Sequence, residues 1–332
     1  MINTNQKLID KIVRASGVQP GSLVLLHFWG EDANIGILHE FSTAVAALGA
    51  SPLELQECRT SNQKRFAVAS AGCYQENYFK IFGQVDTILD IFCYHPVILG
   101  AKLPDTQMEI YRNYMKNLFH TLMHAEHFVQ IRLPLAANAE ESGLDPEDFI
   151  CRMTAAYDID YEQIKSDCKK QISVLAQKSQ LSLLTGNNCC LHFDLAGRNW
   201  VADCGSGDMP CGEIYIAPLE NKTFGTIFYP ELYAEDWGTF QNLTLTVKDG
   251  ILTQTDNPDF NDHLAKLSAN DRTVCELGIG MNQKVHTLCG YTVLDEKAAN
   301  TCHIAIGANV MFGGSNSSTV HMDFVNTDFQ IK

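Results

Sequence analysis

Five side chains in the second half of the sequence have the chemistry of divalent-metal ligands: Glu213, Glu276, His303, His321 and Asp323. His321 and Asp323 stand two apart in Val320-His321-Met322-Asp323-Phe324. On a strand, residues i and i+2 share a face, so the imidazole and carboxylate would project together. Val320, Met322 and Phe324 would take the other face. His303 opens the equally apolar run His303-Ile304-Ala305-Ile306-Gly307. A buried imidazole or carboxylate needs a partner, and a divalent cation is an efficient one. Taken alone, His-x-Asp is read more readily as a hydrogen-bonded core pair. Glu213 and Glu276 add weight to the metal, because both stand in mostly apolar surroundings where an unpaired carboxylate is costly. Two glutamates, one aspartate and two histidines can hold two divalent ions that share a carboxylate, an arrangement able to polarise a carbonyl and generate hydroxide. Oxygen and nitrogen donors suit Zn, Mn, Co or Fe rather than a thiolate site.

Other residues carry weaker signals. Arg198 and Lys297, near an acidic cluster, can hold a substrate carboxylate or stabilise an oxyanion, and a structural ion pair is the competing reading. Glu296 beside Lys297 can serve as a base, or the pair can orient a loop. His120, His124 and His127 have helical spacing, read here as a polar or interface stripe rather than a metal face. Cys93-Tyr94-His95-Pro96 closes a strand-like run.

The elements that must position these groups change character along the chain. Residues 22–28 and 87–92 are short, nearly continuous apolar runs, as expected of buried parallel strands. Helical periodicity runs through Leu8, Ile9, Ile12 and Val13, through Ile37, Phe41, Val45 and Leu48 to a stop at Gly49, and from about Thr106 to Met123. A further strand is expected over Phe128 to Leu133. Strands alternating with helices predict an α/β domain with an open sheet. Residues 144–178 look helical and charged, a bridge between halves. From Leu181 onward short strands dominate, at 192–195, 213–217, 225–228 and 243–247, with a hairpin turn at Lys248-Asp249-Gly250. The expectation is an α/β domain over residues 1–178, followed by an α+β domain over 179–332 whose mostly antiparallel sheet carries the metal site.

Composition narrows the function classes. A formal charge of −15 over 332 residues disfavours a general nucleic-acid binder. The 12 cysteines are scattered without regular spacing, as buried thiols of a reducing compartment rather than a disulfide framework. No basic segment followed by an apolar one opens the chain, and no run of 18 or more uncharged apolar residues occurs. A cytoplasmic protein without membrane attachment is expected.

The second half resembles the aminopeptidase T/aminopeptidase S family of metalloaminopeptidases (peptidase family M29). The family's P-x-G-E-x-x-x-x-P is matched by Pro210 to Pro218, and E-x-G-I-G-x-N is nearly matched by Glu276 to Asn282, with Leu277 in the second place. Asp295-Glu296-Lys297 and Thr301-Cys302-His303-Ile304-Ala305-Ile306-Gly307 match D-E-K followed by T-x-H-I-A-I-G. Asn316 to Asp323 matches N-x-S-x-x-H-x-D, and Asp194 and Gly197-Arg198 echo the family upstream. The resemblance covers roughly residues 180–326. It implies that Glu213, Glu276, His303, His321 and Asp323 are ligands of a two-metal site, and that the protein is a homodimer.

Three positions depart from the pattern. Val310 stands where the family has a tyrosine, Asn300 replaces a glycine, and the loop before His321 is shorter. The same fold resembles the iron(II) dioxygenases that open 2,5-dihydroxypyridine, which keep His-x-Asp but lack metal-binding residues at the places of Glu213 and His303. Together these features predict a metal-dependent hydrolase of an amide bond in a small peptide or amino-acid-derived substrate. The alternatives are a non-haem iron(II) oxygenase acting on a small aromatic or amino-acid-derived metabolite, and a non-catalytic metal-binding module.

Overall fold

The apolar runs of the first half become the strands of a parallel sheet. The computed structural model describes residues 6–186 and 188–332. The first of its two units runs to Asp158 and takes back Gly205–Pro210, and the second comprises Ile159–Cys204 and Cys211–Lys332. The charged stretch read as one bridge up to residue 178 is two helices, Pro146–Tyr157 and Tyr161–Leu175. Asp160 starts the second by accepting hydrogen bonds from the amides of Glu162 and Gln163, the usual device for satisfying a helix's first free donors. The division between units falls at this interruption.

In the first unit, β1 (Leu23–Trp29), β2 (Ser51–Gln56), β3 (Thr87–Phe92), β4 (His127–Arg132) and the short β8 (Asp208–Met209) lie in the order β2-β1-β3-β4-β8. Every pairing is parallel. β3 is buried at all its residues and β1 at all but the first, so both can be apolar throughout. Helices Ile35–Ala47 and Asp105–Leu122 form where the periodicity placed them. The first stops ahead of Gly49, whose φ of 81° suits glycine. His120 lies in the second of these helices, His124 in the turn after it, and His127 opens β4. The three histidines therefore do not form one helical stripe, because the helix ends before the third.

Two charged-type residues interrupt the apolar strands. His27 on β1 and Asp90 on β3 are directly paired in register and fully buried. His27 Nδ1 lies 2.9 Å from Asp90 Oδ1, and Trp29 Nε1 donates to the same oxygen at 2.8 Å.

The second unit contains two antiparallel sheets. The larger runs β12-β11-β10-β6-β5-β16, from β5 (Gln180–Thr185), β6 (Cys189–Asp194), β10 (Phe224–Ala234), β11 (Gly238–Lys248), β12 (Ile251–Thr255) and β16 (Gln330–Ile331). The hairpin turn between β11 and β12 sits at Asp249 and Gly250, both left-handed with φ of 50° and 76°. The smaller sheet runs β15-β14-β13-β9-β7, from β7 (Val201–Asp203), β9 (Glu213–Ile216), β13 (Val274–Gly280), β14 (Cys302–Gly307) and β15 (His321–Asn326). Leu191, Ile227, Tyr229, Leu243 and Leu245 of the larger sheet join Ile216, Leu277, Ile304, Ile306 and Phe324 of the smaller in one core. Among the described residues no helix is long and apolar enough to cross a membrane.

Removing one member of a buried polar pair leaves the other unsatisfied, at a cost of about 3–5 kcal/mol. Asp90→Ala is expected to lower the urea unfolding free energy by that amount. His27→Leu/Asp90→Val, which removes both groups, is expected to lower it far less.

Candidate metal centre

The smaller sheet of the second unit sorts its residues by face. In β13, Leu277 and Ile279 point into the core, so Glu276, Gly278 and Gly280 point the other way. Register carries this face across the sheet. Glu213 lies opposite Gly280 and Tyr215 opposite Gly278 on one side of β13. His303 lies opposite Gly278 and Ala305 opposite Glu276 on the other. Beyond β14, Asp323 faces Ala305 and His321 faces Gly307. All five metal-type residues therefore share one face, although the chain separates the first from the last by 110 positions (323 − 213). The small residues between them make room. A Cβ at Gly278 would stand 1.9 Å from His303 Nε2, so the imidazole occupies the space that a side chain there would need.

The resulting cluster is nearly dry. Glu213 and Glu276 are each 5% exposed, His303 1% and Asp323 9%, while His321 forms the open edge. His303 Nε2 lies 3.3 Å from Glu213 Oε2 and 3.3 Å from Glu276 Oε1. His321 Nε2 lies 3.4 Å from Glu276 Oε2 and 3.5 Å from Asp323 Oδ2. Two overlapping donor groups result, Glu213–Glu276–His303 and Glu276–His321–Asp323. Glu276 turns one carboxylate oxygen to each.

These separations are long for charge-assisted hydrogen bonds, which run about 2.7–2.9 Å. They fit the edges of a metal polyhedron: donors about 2.0–2.2 Å from a tetrahedral ion stand roughly 3.3–3.5 Å apart. Glu213 Oε2 is buried and accepts no hydrogen bond. His321 Nδ1 donates to the carbonyl of Ala308 at 3.0 Å, which leaves Nε2 free to offer its lone pair to a cation. The donors of each group have the chemistry to hold a divalent ion.

Electrostatics point the same way. Burial pushes Glu213 well above the usual carboxylate range, although Lys297 opposes it. Burial and then the charge of Glu296 push Asp323 up to about 7. Burial would raise Glu276 too, but hydrogen bonds from His303 and His321 hold it down to about 2. Burial lowers His303, yet the hydrogen bond to Glu276 and the charge of Glu213 outweigh it and raise the imidazole to about 9. His321 is raised as well, against its burial, by Asp323 and its other acidic neighbours. The protein's own cations do not match its carboxylates here, and the imidazoles are drawn to protonation to make up the difference.

Lys297 is fully buried, with Nζ 2.5 Å from Glu213 Oε1 and 2.7 Å from Glu296 Oε1. It fixes both carboxylates. Asn282 secures the same corner: its Nδ2 donates to the Cys211 carbonyl and its amide to the Lys297 carbonyl, each at 2.8 Å. Arg198 is placed elsewhere. Its guanidinium pairs with Glu220 at 2.7 Å and donates to the carbonyl of Gly313. Glu220 also accepts from the Ser315 amide at 2.6 Å and from Asn309 Nδ2 at 3.2 Å. Arg198, Glu220 and Asn309 thus tie down the loop that leads into His321. Sequence reasoning missed Glu220 and Asn309, whose partners are distant in the chain and leave no local pattern. It also missed Tyr215, which the period of two after Glu213 could have revealed.

The pattern of the thermophilic metalloproteases (M29) matches residues 54–331. A match over that share of the sequence makes the class a metalloprotease. The chain belongs to the M29 family. Its fold is similar to that of wild-type AmpT from Thermus thermophilus, with a TM-score of 0.68 at 17% identity, over 98% of this chain and 94% of that one. It is also similar to 2,5-dihydroxypyridine dioxygenase from Pseudomonas putida KT2440, with a TM-score of 0.65 at 12% identity, over 98% and 92% of the two chains. At these identities the likeness shows the fold. No curated protein matches the sequence.

Glu220 holds three partners at once, so Glu220→Gln should loosen the loop without altering the ligand set. Amide hydrogen exchange at Ser315 and Asn316 is expected to speed up by about tenfold or more, as for a hydrogen bond to a charged group worth about 1.5–3 kcal/mol.

Proposed function

We propose that this chain is a metal-dependent aminopeptidase that cleaves the amide bond of a small peptide or amino-acid-derived substrate. Membership of the M29 family supports a peptidase. The observation that carries the finer reading is the sharing of Glu276 between two donor groups, one of which exists only because Glu213 and His303 are present.

Glu213, Glu276 and His303 would hold one divalent ion, and Glu276, His321 and Asp323 a second, with Zn, Mn, Co or Fe suited to these donors. Such ions supply Lewis-acid polarisation of a carbonyl and a water acidic enough to ionise near neutral pH. The chain's own residues do the rest. Lys297 keeps Glu213 oriented and partly neutralised. Glu296 belongs to neither donor group, yet its charge is felt at Glu213 and Asp323. On this reading it would take a proton from the attacking water and return it to the leaving amine. Arg198, spent on Glu220 and Gly313, sets the loop rather than the substrate. The largely buried setting strengthens each of these interactions relative to water.

An iron(II) oxygenase remains the competing reading. It needs a single ion with open positions, for which His321 and Asp323 with Glu276 would suffice. On that reading Glu213 and His303 have no task, and neither does the fully buried Lys297 that fixes Glu213.

Metal analysis with activity measurement tests the proposal. Purified protein reconstituted with Zn, Mn or Co is expected to hold two ions per chain and to hydrolyse aminoacyl amides under nitrogen. Glu276→Gln should lose both ions and all activity. Glu296→Gln should keep both and lose about 10²–10⁴-fold in kcat, the usual worth of a general acid–base. One iron per chain with substrate-dependent oxygen uptake would sink the hydrolase reading.

A further inference from the structure

The polar face of the smaller sheet carries one side chain that neither donor group uses. Tyr215 follows Glu213 by two positions on β9 and so shares its face. It lies directly opposite Gly278, which in turn lies opposite His303. Gly278 contributes no side chain, and the His303 ring fills the space above it. Tyr215 is therefore the next side chain in the row beyond that imidazole.

Its ring is held from the other side. Phe312 meets it edge-on, with centroids 5.3 Å apart and planes at 87°. The same Phe312 meets His321 edge-on at 6.1 Å and 88°. Phe312 thus links the Tyr215 ring to the His321 ring. The edge-on contact with Phe312 restricts the ring of Tyr215.

The hydroxyl is uncommitted. Tyr215 is half-buried, and its phenol makes no hydrogen bond among the described residues. The cations nearby are engaged: Lys297 by Glu213 and Glu296, Arg198 by Glu220 and Gly313. Carboxylates surround the donor groups, and carboxylates only accept. An amide carbonyl becoming tetrahedral beside them gains negative charge on oxygen, which a hydrogen-bond donor already in place stabilises alongside the ions.

We propose that Tyr215 is a catalytic residue whose phenol O–H donates a hydrogen bond to the substrate's carbonyl oxygen as it becomes tetrahedral. The phenol keeps its proton throughout, and no bond to Tyr215 forms or breaks. This role rests on the hydrolase reading above.

Tyr215→Phe keeps the ring and its contact with Phe312 while removing only the hydroxyl. The metal-loaded variant is expected to retain the wild-type metal count, unfolding midpoint and KM, and to lose about 10²–10³-fold in kcat, as for removal of one oxyanion donor. Binding supplies a second readout. Across a panel of phosphinic dipeptides, anionic analogues of the tetrahedral state, calorimetry should show affinity falling by at least tenfold in the variant, with affinity for the free amino-acid products unchanged. If the wild type cleaves the amides and binds the phosphinates, and Tyr215→Phe does both equally well, the role of Tyr215 is wrong and the hydrolase reading stands. If the wild type itself does neither, the hydrolase reading falls and takes this role with it.

Discussion

Much of the second unit follows from one constraint, that a strand between a core and a polar cavity must alternate. In the sheet β15-β14-β13-β9-β7, Ile214, Ile216, Leu277, Ile279, Ile304, Ile306 and Phe324 line the core side and drive its burial. The same backbone, read on its other parity, delivers Glu213, Tyr215, Glu276, His303, His321 and Asp323 to a single surface. A one-residue slip of any strand would exchange these two sets, so hydrophobic burial fixes the register of the polar ones. The core thereby pre-organises the metal-type residues without any of them having to stabilise the fold. The glycines of Gly278-Ile279-Gly280 belong to the same logic, since their parity is the polar one and the space above Gly278 is taken by His303.

Strands alone leave two parts of the site unsupported, the entrance to β15 and the approach to β14. Each is secured by a buried polar side chain bonded to backbone. Asn309, fully buried, reaches the Cys275 carbonyl and Glu220 while accepting from the Asn316 amide. Asn282, also fully buried, joins Cys211 to Lys297. Such groups are costly to bury unless satisfied, so each is worth keeping only where geometry matters more than stability. The Arg198–Glu220 pair adds a charged clamp to the first of them.

Legibility in the sequence tracks how local the determining interaction is. The parallel strands β1 and β3, the helix ending at Gly49 and the turn at Asp249-Gly250 all rest on short-range patterns, and the structure forms them there. The pairing of His321 with Asp323 on one face needed only the strand period. The reach of β10 and β11, each 11 residues long, was seen only as shorter segments, because polar residues on their exposed faces interrupt the apolar pattern. The helical stretch after residue 144 looked continuous because periodicity does not register an interruption as short as Asp158-Ile159-Asp160. Arg198 was weighed as a substrate-binding cation because its partner, Glu220, lies 22 positions away (220 − 198) with nothing in the intervening sequence to link them. Tyr215 shares the parity of Glu213, but a tyrosine among isoleucines reads as core.

Two buried polar clusters in the chain show why one is assigned chemistry and the other is not. In the first unit, Asp90 has an imidazole and an indole N–H within 2.9 Å. The strands themselves bring both partners of that oxygen, and a buried pair of this kind can fix register. In the second unit, Glu213 and Glu296 share Lys297, while Glu213, Glu276 and Asp323 have their imidazole contacts at 3.3–3.5 Å, long for charge-assisted hydrogen bonds. Burial of carboxylates at that imbalance costs several kcal/mol apiece unless a cation arrives. Carboxylates and imidazoles gathered on the polar parity of an otherwise well-packed sheet have the chemistry of a cation site rather than of a core.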